Sequence, residues 1–583
     1  MRNIIMNNIK NIVAAVFAIV CLNSCDLTRL PEDSLSPENY FQTETDLLLW
    51  TNSFYSMFET SEVAYQNADD VVDTQFPDYI DGSRSPETEG GWSWGKLRDI
   101  NYFLEHSSNC KDEAVRAKYE GLAYFFRAYF YFVKVRRYGD VPWYGEVIGS
   151  TDKGLLNKPR DSREFVMQQV MSDFDKAIAA LSTTKDVARV TKWAALAFKS
   201  RAALYEGTFR KYHGMDDYEK YLELAAEAAE EVIRDGGYSI SKEGDEPYRS
   251  LFNSDNANTS EVILARIYNN SIQVPNGAPH TLTNHHSGLT KRFVNHYLTD
   301  KGKYFSSVDG YETMTYAQET KNRDPRMAQT ILCPGHMVVG ATTKSVNLLN
   351  STTGYEVIKY YAEATLNTGQ GNADFPLMRI AEVYLNYAEA KAELGTLTPE
   401  DLNISVNKIR ARVKLPELSM NEANANPDPL MLEYYPNVTK SDNTGVILEI
   451  RRERTVELVL EGRRVWDLFR WKEGAQMVNE ENPYYGCYFP GPGEYDMDND
   501  GKNDLELYED TPVSGLSTKF QIGTGIILSD DTSGYVVAFS LLSLEWDETR
   551  DYLWPIPSDQ RVLTGGVLTQ NPGYNDNLSF DKK

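Results

Sequence analysis

The sequence predicts a mainly α-helical protein, in which antiparallel helix pairs support a second part made of loops and short strands. Apolar residues recur at helical spacing through most of the first 240 residues. Residues 238–373 and 480–583 are instead rich in Gly, Asn, Thr, Ser and Tyr. Apolar residues make up 41% of the 583-residue chain, which is enough for a folded core. Because loops this long in a compact protein usually carry function, we expect the ligand surface to include them.

The net charge and the amino-acid composition limit which classes of molecule the protein can bind. Lys and Arg number 59 against 85 Asp and Glu, and the resulting net charge of −26 excludes nucleic acid as a partner. Aromatic residues reach 12%, which favours aromatic binding surfaces. No cysteine lies in a CxxC pair, so zinc and redox motifs are absent, and at most one disulfide is expected among the last three. The five cysteines are Cys21, Cys25, Cys110, Cys333 and Cys487.

The first residues read as a secretory signal. Basic residues precede an apolar run from Ile12 to Leu22, which is too short to span a membrane. Ser24 precedes Cys25 as in a bacterial lipobox, so residues 1–24 are expected to be removed and Cys25 to carry the lipid anchor. The alternative is an ordinary signal peptide followed by an incidental cysteine. The polar residues 26–37 then form a tether between the membrane and a soluble body.

The stretch 121–146 predicts the central helix. Its first half is apolar on nearly every face, which indicates packing on several sides. Helix stop signals cluster over 136–142, where two arginines precede a glycine and a proline. We expect the turn that follows to point Trp143 and Tyr144 outward.

Other helices are expected on both sides of this one. Alternating large and small apolar residues in neighbouring helices resemble tetratricopeptide (TPR) units, although the usual proline is missing. The predicted helices span 36–58, 96–106, 161–181, 191–209 and 218–234, followed by a helix pair over 374–413 and a long helix over 446–471.

Six segments follow one another along the chain: the lipobox, FFRAYFYFVKVRRYGDVP, DFPLMRIAEVYLNYAEAKAELG, RRERTVELVLEGRRVWDLFRW, YLWPIPSDQ and LTQNPGY. Together, and in this order, they resemble the SusD/RagB family of outer-membrane lipoproteins of Bacteroidota. The resemblance spans the chain and implies a TPR-like region at 25–240 and a C-terminal SusD/RagB region at 241–583. It also implies a non-enzymatic protein at the cell surface that captures oligosaccharide for a SusC-like TonB-dependent transporter. Some relatives bind peptides, and that alternative stays open.

Residues 451–471 carry charges of both signs along one predicted helix. The pairs Glu453–Glu457 and Glu457–Glu461 repel at i,i+4, whereas Arg454–Glu457 and Glu461–Arg464 attract at i,i+3. Because these terms only partly cancel, we expect partners on other helices. The segment is interpreted as a structural ion-pair network and not as a catalytic site.

Two irregular regions, 65–101 and 266–297, are the candidate ligand surfaces. Sugar rings have apolar C–H faces, so an aromatic platform beside hydrogen-bonding side chains suits them. Trp92 or Trp94 is the candidate platform, and the alternative is that either ring is merely packed. His285-His286 is interpreted as a surface pair. The candidate ligand residues are Tyr79, Trp92, Trp94, Arg98, Asn101, Tyr268 and Asn269.

The acidic run 496–504 predicts a calcium loop. Its oxygens at positions 1, 3, 5 and 9, glycine at 6 and a backbone carbonyl at 7 follow the spacing of calcium-binding loops. Position 12 is Leu507, so Glu506 is the candidate substitute ligand. We expect a structural calcium ion, with a solvated acidic turn as the alternative, and no cofactor is otherwise required. The candidate ligands are Asp496, Asp498, Asp500, Lys502 through its carbonyl, and Asp504.

The main alternative to a binding protein is an enzyme. A glycoside hydrolase needs two carboxylates, but 85 acidic residues make such pairs uninformative. No GxSxG, HExxH or GxxxxGK[ST] motif is present in a suitable context. A third alternative is a TPR-like scaffold that binds only protein segments.

Overall fold

A computed structural model describes residues 40–58, 68–73, 77–336, 348–361, 371–478, 484–538 and 543–576, together with 578 and 580. The predicted signal segment 1–24 and Cys25 lie outside the described residues. Within them the protein is mainly helical, as predicted. No described helix is both long enough and apolar enough to cross a membrane.

The helices and strands are numbered here in chain order. The helices are α1 (Glu44–Asn52), α2 (Gly95–His106), α3 (Glu113–Tyr138), α4 (Lys153–Leu156), α5 (Arg163–Ala180), α6 (Lys192–Tyr212), α7 (Tyr218–Asp235), α8 (Ser250–Asn253), α9 (Ala278–Asn284), α10 (Lys291–Val294), α11 (Tyr316–Glu319), α12 (Ile380–Leu394), α13 (Pro399–Ile404), α14 (Val406–Arg412), α15 (Met420–Ala425), α16 (Pro429–Tyr434), α17 (Thr444–Glu457), α18 (Arg464–Arg470) and α19 (Ser558–Leu563). The strands are β1 (Val71–Val72), β2 (Val262–Arg266), β3 (Gly288–Leu289), β4 (Phe375–Arg379), β5 (Tyr485–Phe489), β6 (Gly493–Tyr495), β7 (Leu505–Tyr508), β8 (Thr518–Gln521), β9 (Leu528–Asp530) and β10 (Ser533–Val537).

Helix α3 is the predicted central helix, and it begins earlier than the apolar stretch. The Asp112 carboxylate accepts hydrogen bonds from the backbone N–H groups of Ala114 and Val115, which caps the helix. The helix ends at Tyr138 because Gly139 adopts a φ of +72°. Most of its side chains are buried against α5 and the N-terminal helices, which confirms the predicted packing on several sides.

The predicted helix pairs form a layered helical body. Helix α6 packs along α7, and α7 in turn packs along α12. Gly207 shows how close this packing is, because a Cβ atom there would lie 2.8 Å from the side chain of Leu222. The long apolar core that results includes residues from both ends of the chain, such as Phe126 and Trp554.

Three helix predictions need correction. Residues 375–379 form strand β4, which pairs with β2, so the helix in that segment begins only at Ile380. The predicted helix over 446–471 is two helices, α17 and α18, because Leu460 and Gly462 adopt φ values of +60° and +68° that a helix cannot continue. The first helix begins at Glu44 after a Thr43 cap, and the predicted start at residue 36 lies outside the described residues.

The loop-rich part contains short strands, as predicted. Strands β5, β10 and β9 form one three-stranded sheet, and β6, β7 and β8 form another, in which β7 and β8 are parallel. A second apolar core lies beneath these loops and includes Phe293, Tyr355 and Cys487. Cys110, Cys333 and Cys487 are buried free thiols, so no disulfide joins any two of them, which is consistent with the predicted limit of one.

The charged residues of α17 form a buried network with other segments, named here the ionic network. Glu457 Oε1 accepts from Arg379 and Arg412 at 2.6 and 2.8 Å, and its Oε2 accepts from Arg326 at 2.9 Å. Burial raises the pKa of Glu457, but Arg412, Arg379 and Arg326 outweigh it and hold that pKa well below its usual range. The network consists of Glu261, Arg326, Lys359, Arg379, Arg410, Arg412, Glu449, Glu453, Glu457 and Glu461.

The partners of two arginines differ from those predicted. Arg454 donates to Asp467 at 2.8 Å, and not to Glu457. Arg464 donates to Asp69 at 2.6 Å, and not to Glu461. Arg464 begins α18, so the break after α17 removes its helical spacing to Glu461. Arg454 and Glu457 share α17, but Glu457 is already held by Arg326, Arg379 and Arg412 from other segments.

Candidate functional site

The N-terminal end of α2 borders an apolar cavity of about 360 Å³, named here the Trp94 groove. Three segments build it: residues 92–101, the loop and short helix at 142–158, and residues 560–568 around α19. Four of the seven predicted ligand residues line it, namely Trp92, Trp94, Arg98 and Asn101. The full lining is Trp92, Trp94, Gly95, Leu97, Arg98, Asn101, Pro142, Tyr144, Glu146, Ile148, Leu156, Lys158, Gln560, Thr564 and Leu568.

The end of α3 positions one wall of this groove. Gly139 lets the chain turn where any Cβ would lie 3.0 Å from Leu553. Trp143 then stacks on Tyr131, with 4.2 Å between ring centroids, and the Tyr144 N–H donates to the Tyr131 hydroxyl at 2.6 Å. The prediction that Trp143 and Tyr144 point outward is therefore wrong: both are half-buried, because Tyr131 holds them against the helix.

Asn101 fixes the same wall from the other side. Its amide donates to the carbonyls of Tyr144 and Glu146 at 3.0 and 3.1 Å, and its oxygen accepts from Arg127 at 3.3 Å. Arg127 is held in turn by Asp173 at 2.6 Å. Since Asn101 is only 1% exposed and its amide is already bonded, it shapes the groove and does not offer free donors to a ligand.

The two tryptophans of the predicted platform differ. Trp92 is 8% exposed and packs edge-on against Tyr138, with ring centroids 4.8 Å apart, so it belongs mainly to the core. Trp94 is half-buried and lies beside Phe130 and Tyr144. Nearby, burial lowers the pKa of Lys134 to about 8, and its ammonium donates to the Gly91 carbonyl. Trp94 is therefore the better candidate for contact with a ligand.

The groove has few polar side chains with unused groups. Arg98 is exposed, and its guanidinium makes no hydrogen bond or ion pair with any described residue. Lys158 is already engaged, since it donates to the Trp143 carbonyl at 2.8 Å and pairs with Asp161 at 2.6 Å. Glu146 is the one carboxylate among the described lining residues, so they offer no pair for two-carboxylate glycoside hydrolysis.

Apolar side chains at the rim were missed by the sequence analysis. Leu156 is 45% exposed and lines the groove, as does Ile148. Thr564 and Leu568 complete the floor beside them. The only local signal in the sequence was a pair of apolar residues within an otherwise polar segment, and such pairs are common. No feature of the sequence indicates that residue 156 and residue 564 line the same cavity.

The other predicted ligand residues lie elsewhere. Tyr79 is 8% exposed and packs against Phe469 and Trp554. The backbone N–H of Tyr268 donates to Asp374, while the Asn269 side chain caps the following turn at 270–272. The structure therefore does not bring these three residues to the Trp94 groove.

The two candidate regions do meet, at the pairing of β1 with β3. His285 Nδ1 lies 3.6 Å from Asp73 Oδ2, whose side chain is fully buried. The interpretation of His285-His286 as a surface pair on a strand is wrong for His285, which follows helix α9 and is only 17% exposed in its side chain. His286 is exposed.

The acidic loop brings three of its predicted ligands together. Carboxylate oxygens of Asp496, Asp498 and Asp504 lie within 4.8 Å of one another. Burial, and after it the Asp504 carboxylate, raises the pKa of Asp498, a disfavoured charge that a cation would relieve. The Asp500 carboxylate instead pairs with the Lys502 ammonium at 3.2 Å.

Glu506 does not substitute for the missing position-12 ligand. It accepts hydrogen bonds from Val513 and Ser514 and is 2% exposed. Its strand, β7, directs it toward the turn at 513–514. The carboxylates present therefore fit a cation held by three side chains and further backbone or water oxygens, which is a smaller donor set than a full calcium loop.

Comparison with known proteins identifies the family. A model described as "SusD family" matches residues 247–574, a little over half of the chain, and a model described as "Starch-binding associating with outer membrane" matches residues 91–204. The SusD-like protein P38 of Formosa agariphila is 24% identical over 82% of this chain and 94% of its own. A SusD-like protein of Bacteroides ovatus is 25% identical over 64% of this chain and 62% of its own.

Solved structures share the fold. A SusD-like carbohydrate-binding protein of Bacteroides fragilis superposes with a TM-score of 0.68 at 20% identity, covering 90% of this chain and 98% of that one. Another SusD-like protein of B. fragilis gives a TM-score of 0.66 at 23% identity, covering 94% of this chain and all of that one. The helical body with a loop-rich second part is thus a SusD-like fold, and the chain belongs to the SusD family.

Proposed function

We propose that this protein is a cell-surface lipoprotein that captures an oligosaccharide and delivers it to a SusC-like TonB-dependent outer-membrane transporter. Membership of the SusD family is the observation that carries this proposal. The description of the model matched by residues 91–204 names starch binding and the outer membrane, and a similar structure is titled carbohydrate-binding. The lipid on Cys25 anchors the protein, and the protein has no catalytic role of its own.

The Trp94 groove is proposed as an oligosaccharide-binding surface. Its volume of about 360 Å³ lies within the range of small-molecule sites, roughly 300–1,000 Å³. Trp94 and Tyr144 offer aromatic surface to the C–H faces of sugar rings, and Arg98 offers unpaired donors to hydroxyl groups. Because Asn101 and Tyr131 hold the wall in place, little conformational entropy is lost when a ligand binds.

Incubation with a ligand panel tests the binding class. The panel contains maltohexaose, cellohexaose, xylohexaose, mannohexaose and a mixture of tri- to decapeptides. Retention of one oligosaccharide without release of shorter sugars is the expected result. Retention of peptides alone favours the peptide-binding alternative, release of shorter sugars favours a hydrolase, and no retention at all contradicts ligand capture.

The anchor and the partner are tested separately. Replacement of Cys25 by Ala is expected to move the protein from the membrane fraction to the soluble fraction without changing its binding of sugars. Affinity purification of the unaltered protein is expected to recover a TonB-dependent transporter. A membrane-bound Cys25→Ala variant would contradict lipid anchoring, and its binding data would remain valid.

We further propose that a calcium ion braces the loop excursion at 484–515 through Asp496, Asp498 and Asp504. The raised pKa of Asp498 and the mutual approach of the three carboxylates support this role. Addition of calcium is expected to raise the melting temperature by about 2 °C or more, and a chelator to reverse it. Asp504→Asn should abolish the shift, and the same shift in Asp504→Asn would contradict the assignment. Exposed Asp309→Asn is the matched control, which should respond to calcium as the unaltered protein does.

A further inference from the structure

A second cavity, of about 340 Å³, lies between the loop at 301–307 and the loop and helix at 416–426. It is named here the Tyr304 cleft. None of its lining residues belongs to the Trp94 groove. Whereas the groove is lined mainly by apolar side chains, the cleft is lined mainly by charged and polar ones, with Arg410 and Glu449 as its buried members.

The floor of the cleft is rigid and charged. Arg410 is 3% exposed and donates to Glu453 at 2.9 Å and to Glu449 at 3.4 Å. The other Glu449 oxygen accepts from Arg452 at 3.0 Å. Since both residues also belong to the ionic network, the floor does not need to reorganise when a ligand arrives. Its charges are paired with one another, so the floor adds no strong net field to the cleft.

The walls of the cleft are joined to each other. The Tyr304 hydroxyl donates to the Asn426 carbonyl at 3.0 Å and links the two loops. Burial raises the pKa of Tyr304, which keeps this hydroxyl protonated. Gly302, at a φ of +72°, lies so close to Pro416 that a Cβ there would be 3.1 Å from the proline ring. The half-buried Tyr304 ring therefore forms a fixed aromatic wall.

The rim balances opposite charges. Lys303 and Glu422 lie 3.5 Å apart with side chains 70% and 68% exposed, an arrangement that contributes little to stability. Glu417 is exposed and makes no hydrogen bond or ion pair with any described residue. Counting floor and rim, three cations (Lys301, Lys303, Arg410) face three carboxylates (Glu417, Glu422, Glu449). The side chains that line the cleft therefore carry no net charge that would select an anion or a cation.

From these features we infer that the Tyr304 cleft is a second saccharide-binding site. A neutral polyhydroxylated ligand both donates and accepts hydrogen bonds, and it presents a C–H face to an aromatic ring. The cleft supplies all three partners in a preformed pocket whose lining side chains carry no net charge. The inference rests on the proposed function, and it adds that each chain holds two sugar-binding sites of different polarity.

Binding stoichiometry tests this inference. The full chain, solubilised in detergent, is titrated calorimetrically with each of the four hexasaccharides used in the panel. We expect two sites per chain for a saccharide that binds. Tyr304→Ala should weaken one site about tenfold or more and leave the other unchanged, whereas Trp94→Ala should weaken only the other. Tyr508→Ala, another half-buried tyrosine that lines neither cavity, is the control.

Two exposed rim variants guard against loss of folding. Lys303→Ala and Glu417→Ala remove one donor and one acceptor, with Lys408→Ala as the control, and each is expected to weaken the cleft site a few-fold. One site per chain, or two sites that no cleft variant changes, would overturn the inference and leave the proposed function standing. Absence of binding by every hexasaccharide would overturn both.

Discussion

The ionic network and the Trp94 groove show two opposite uses of polar and aromatic residues. In the network, every carboxylate oxygen of Glu457 accepts from an arginine and the side chain is fully buried. In the groove, the Arg98 guanidinium makes no hydrogen bond or ion pair with a described residue, and Trp94 is only half-buried. The comparison indicates that satisfied polar groups hold the scaffold, whereas unsatisfied ones beside a cavity are available to a ligand.

Of the variants considered, one that disrupts the ionic network should lower the free energy of unfolding the most. Glu457→Ala leaves Arg326, Arg379 and Arg412 buried without their shared carboxylate, and loss of a buried ion-pair partner costs about 3–5 kcal/mol. We expect a large fall in the urea midpoint. The exposed Glu227→Ala in α7 should change stability by less than about 0.5 kcal/mol. Equal effects of the two variants would contradict a structural role for the network.

The second largest loss of stability is expected from a change in the buried wall of the Trp94 groove. Trp92→Ala removes a ring that is 8% exposed and packed on Tyr138, so we expect about 3 kcal/mol of destabilisation. Thermal unfolding of Trp92→Ala and Trp94→Ala side by side measures the difference. If the half-buried Trp94 cost more than Trp92, the division of the two rings into core and ligand surface would be wrong.

The pH dependence of stability distinguishes a satisfied from an unsatisfied buried acid. Burial, and after it the neighbouring Asp69 carboxylate, raises the pKa of Asp70 to about 7, and its Oδ1 accepts no hydrogen bond from a described residue. A group whose pKa rises on folding contributes stability that is lost as pH increases through the folded value. Between about pH 5 and 7, Asp70 should therefore reduce stability by up to about 1.4 kcal/mol per pH unit.

Carboxylates of the network act in the opposite direction. Their pKa values are lowered on folding, so their contribution is complete above about pH 4.3 and is lost as pH falls further. Burial also raises the pKa of Glu473 to about 7 and lowers the pKa of His213 to about 4, so other groups contribute to the overall slope between pH 5 and 7. Whatever that slope is in the unaltered protein, Asp70→Asn should make it more positive by up to one proton. Urea unfolding at several pH values measures both slopes. An unchanged slope in the variant would contradict the raised pKa.

The smallest expected effect concerns the rim of the groove. Leu156 lines the groove and is 45% exposed, so Leu156→Ser should leave the melting temperature within about 1 °C. The same change should weaken oligosaccharide binding a few-fold, because less apolar surface meets the sugar. Leu49→Ser, which alters another exposed leucine away from the groove, is the control. Equal affinities for both variants would place the ligand elsewhere.

Much of the scaffold could be predicted from the sequence. Helical periodicity and capping residues located α2, α5, α6 and α7 to within a few residues, because these signals are local. The break between α17 and α18 was missed, since the positive φ of Leu460 depends on contacts that Glu461 and Arg464 make with distant segments. The strand at 375–379 was missed for the same reason, as it exists only through its pairing with β2.

The candidate site was only partly predictable. Aromatic residues near α2 pointed to the groove, but Leu156 and Thr564 reach it from segments about 60 and 470 residues away. The opposite roles of Trp92 and Trp94 were also beyond the sequence, because burial depends on which face of the turn meets Tyr138. The composition does not indicate where a polar cleft would form. The cleft exists because folding brings Tyr304 to the same cavity as Arg410 and Glu449.

Affinity electrophoresis of two tryptophan variants tests the central claim most directly. Trp94 and Trp50 are both half-buried in the N-terminal helical part, but Trp50 lines neither the groove nor the cleft. With the oligosaccharide retained by the unaltered protein in the gel, Trp94→Ala should lose most of its retardation and Trp50→Ala should keep it, at comparable melting temperatures. Retardation of Trp94→Ala equal to that of the unaltered protein would contradict the assignment of the groove as a ligand site.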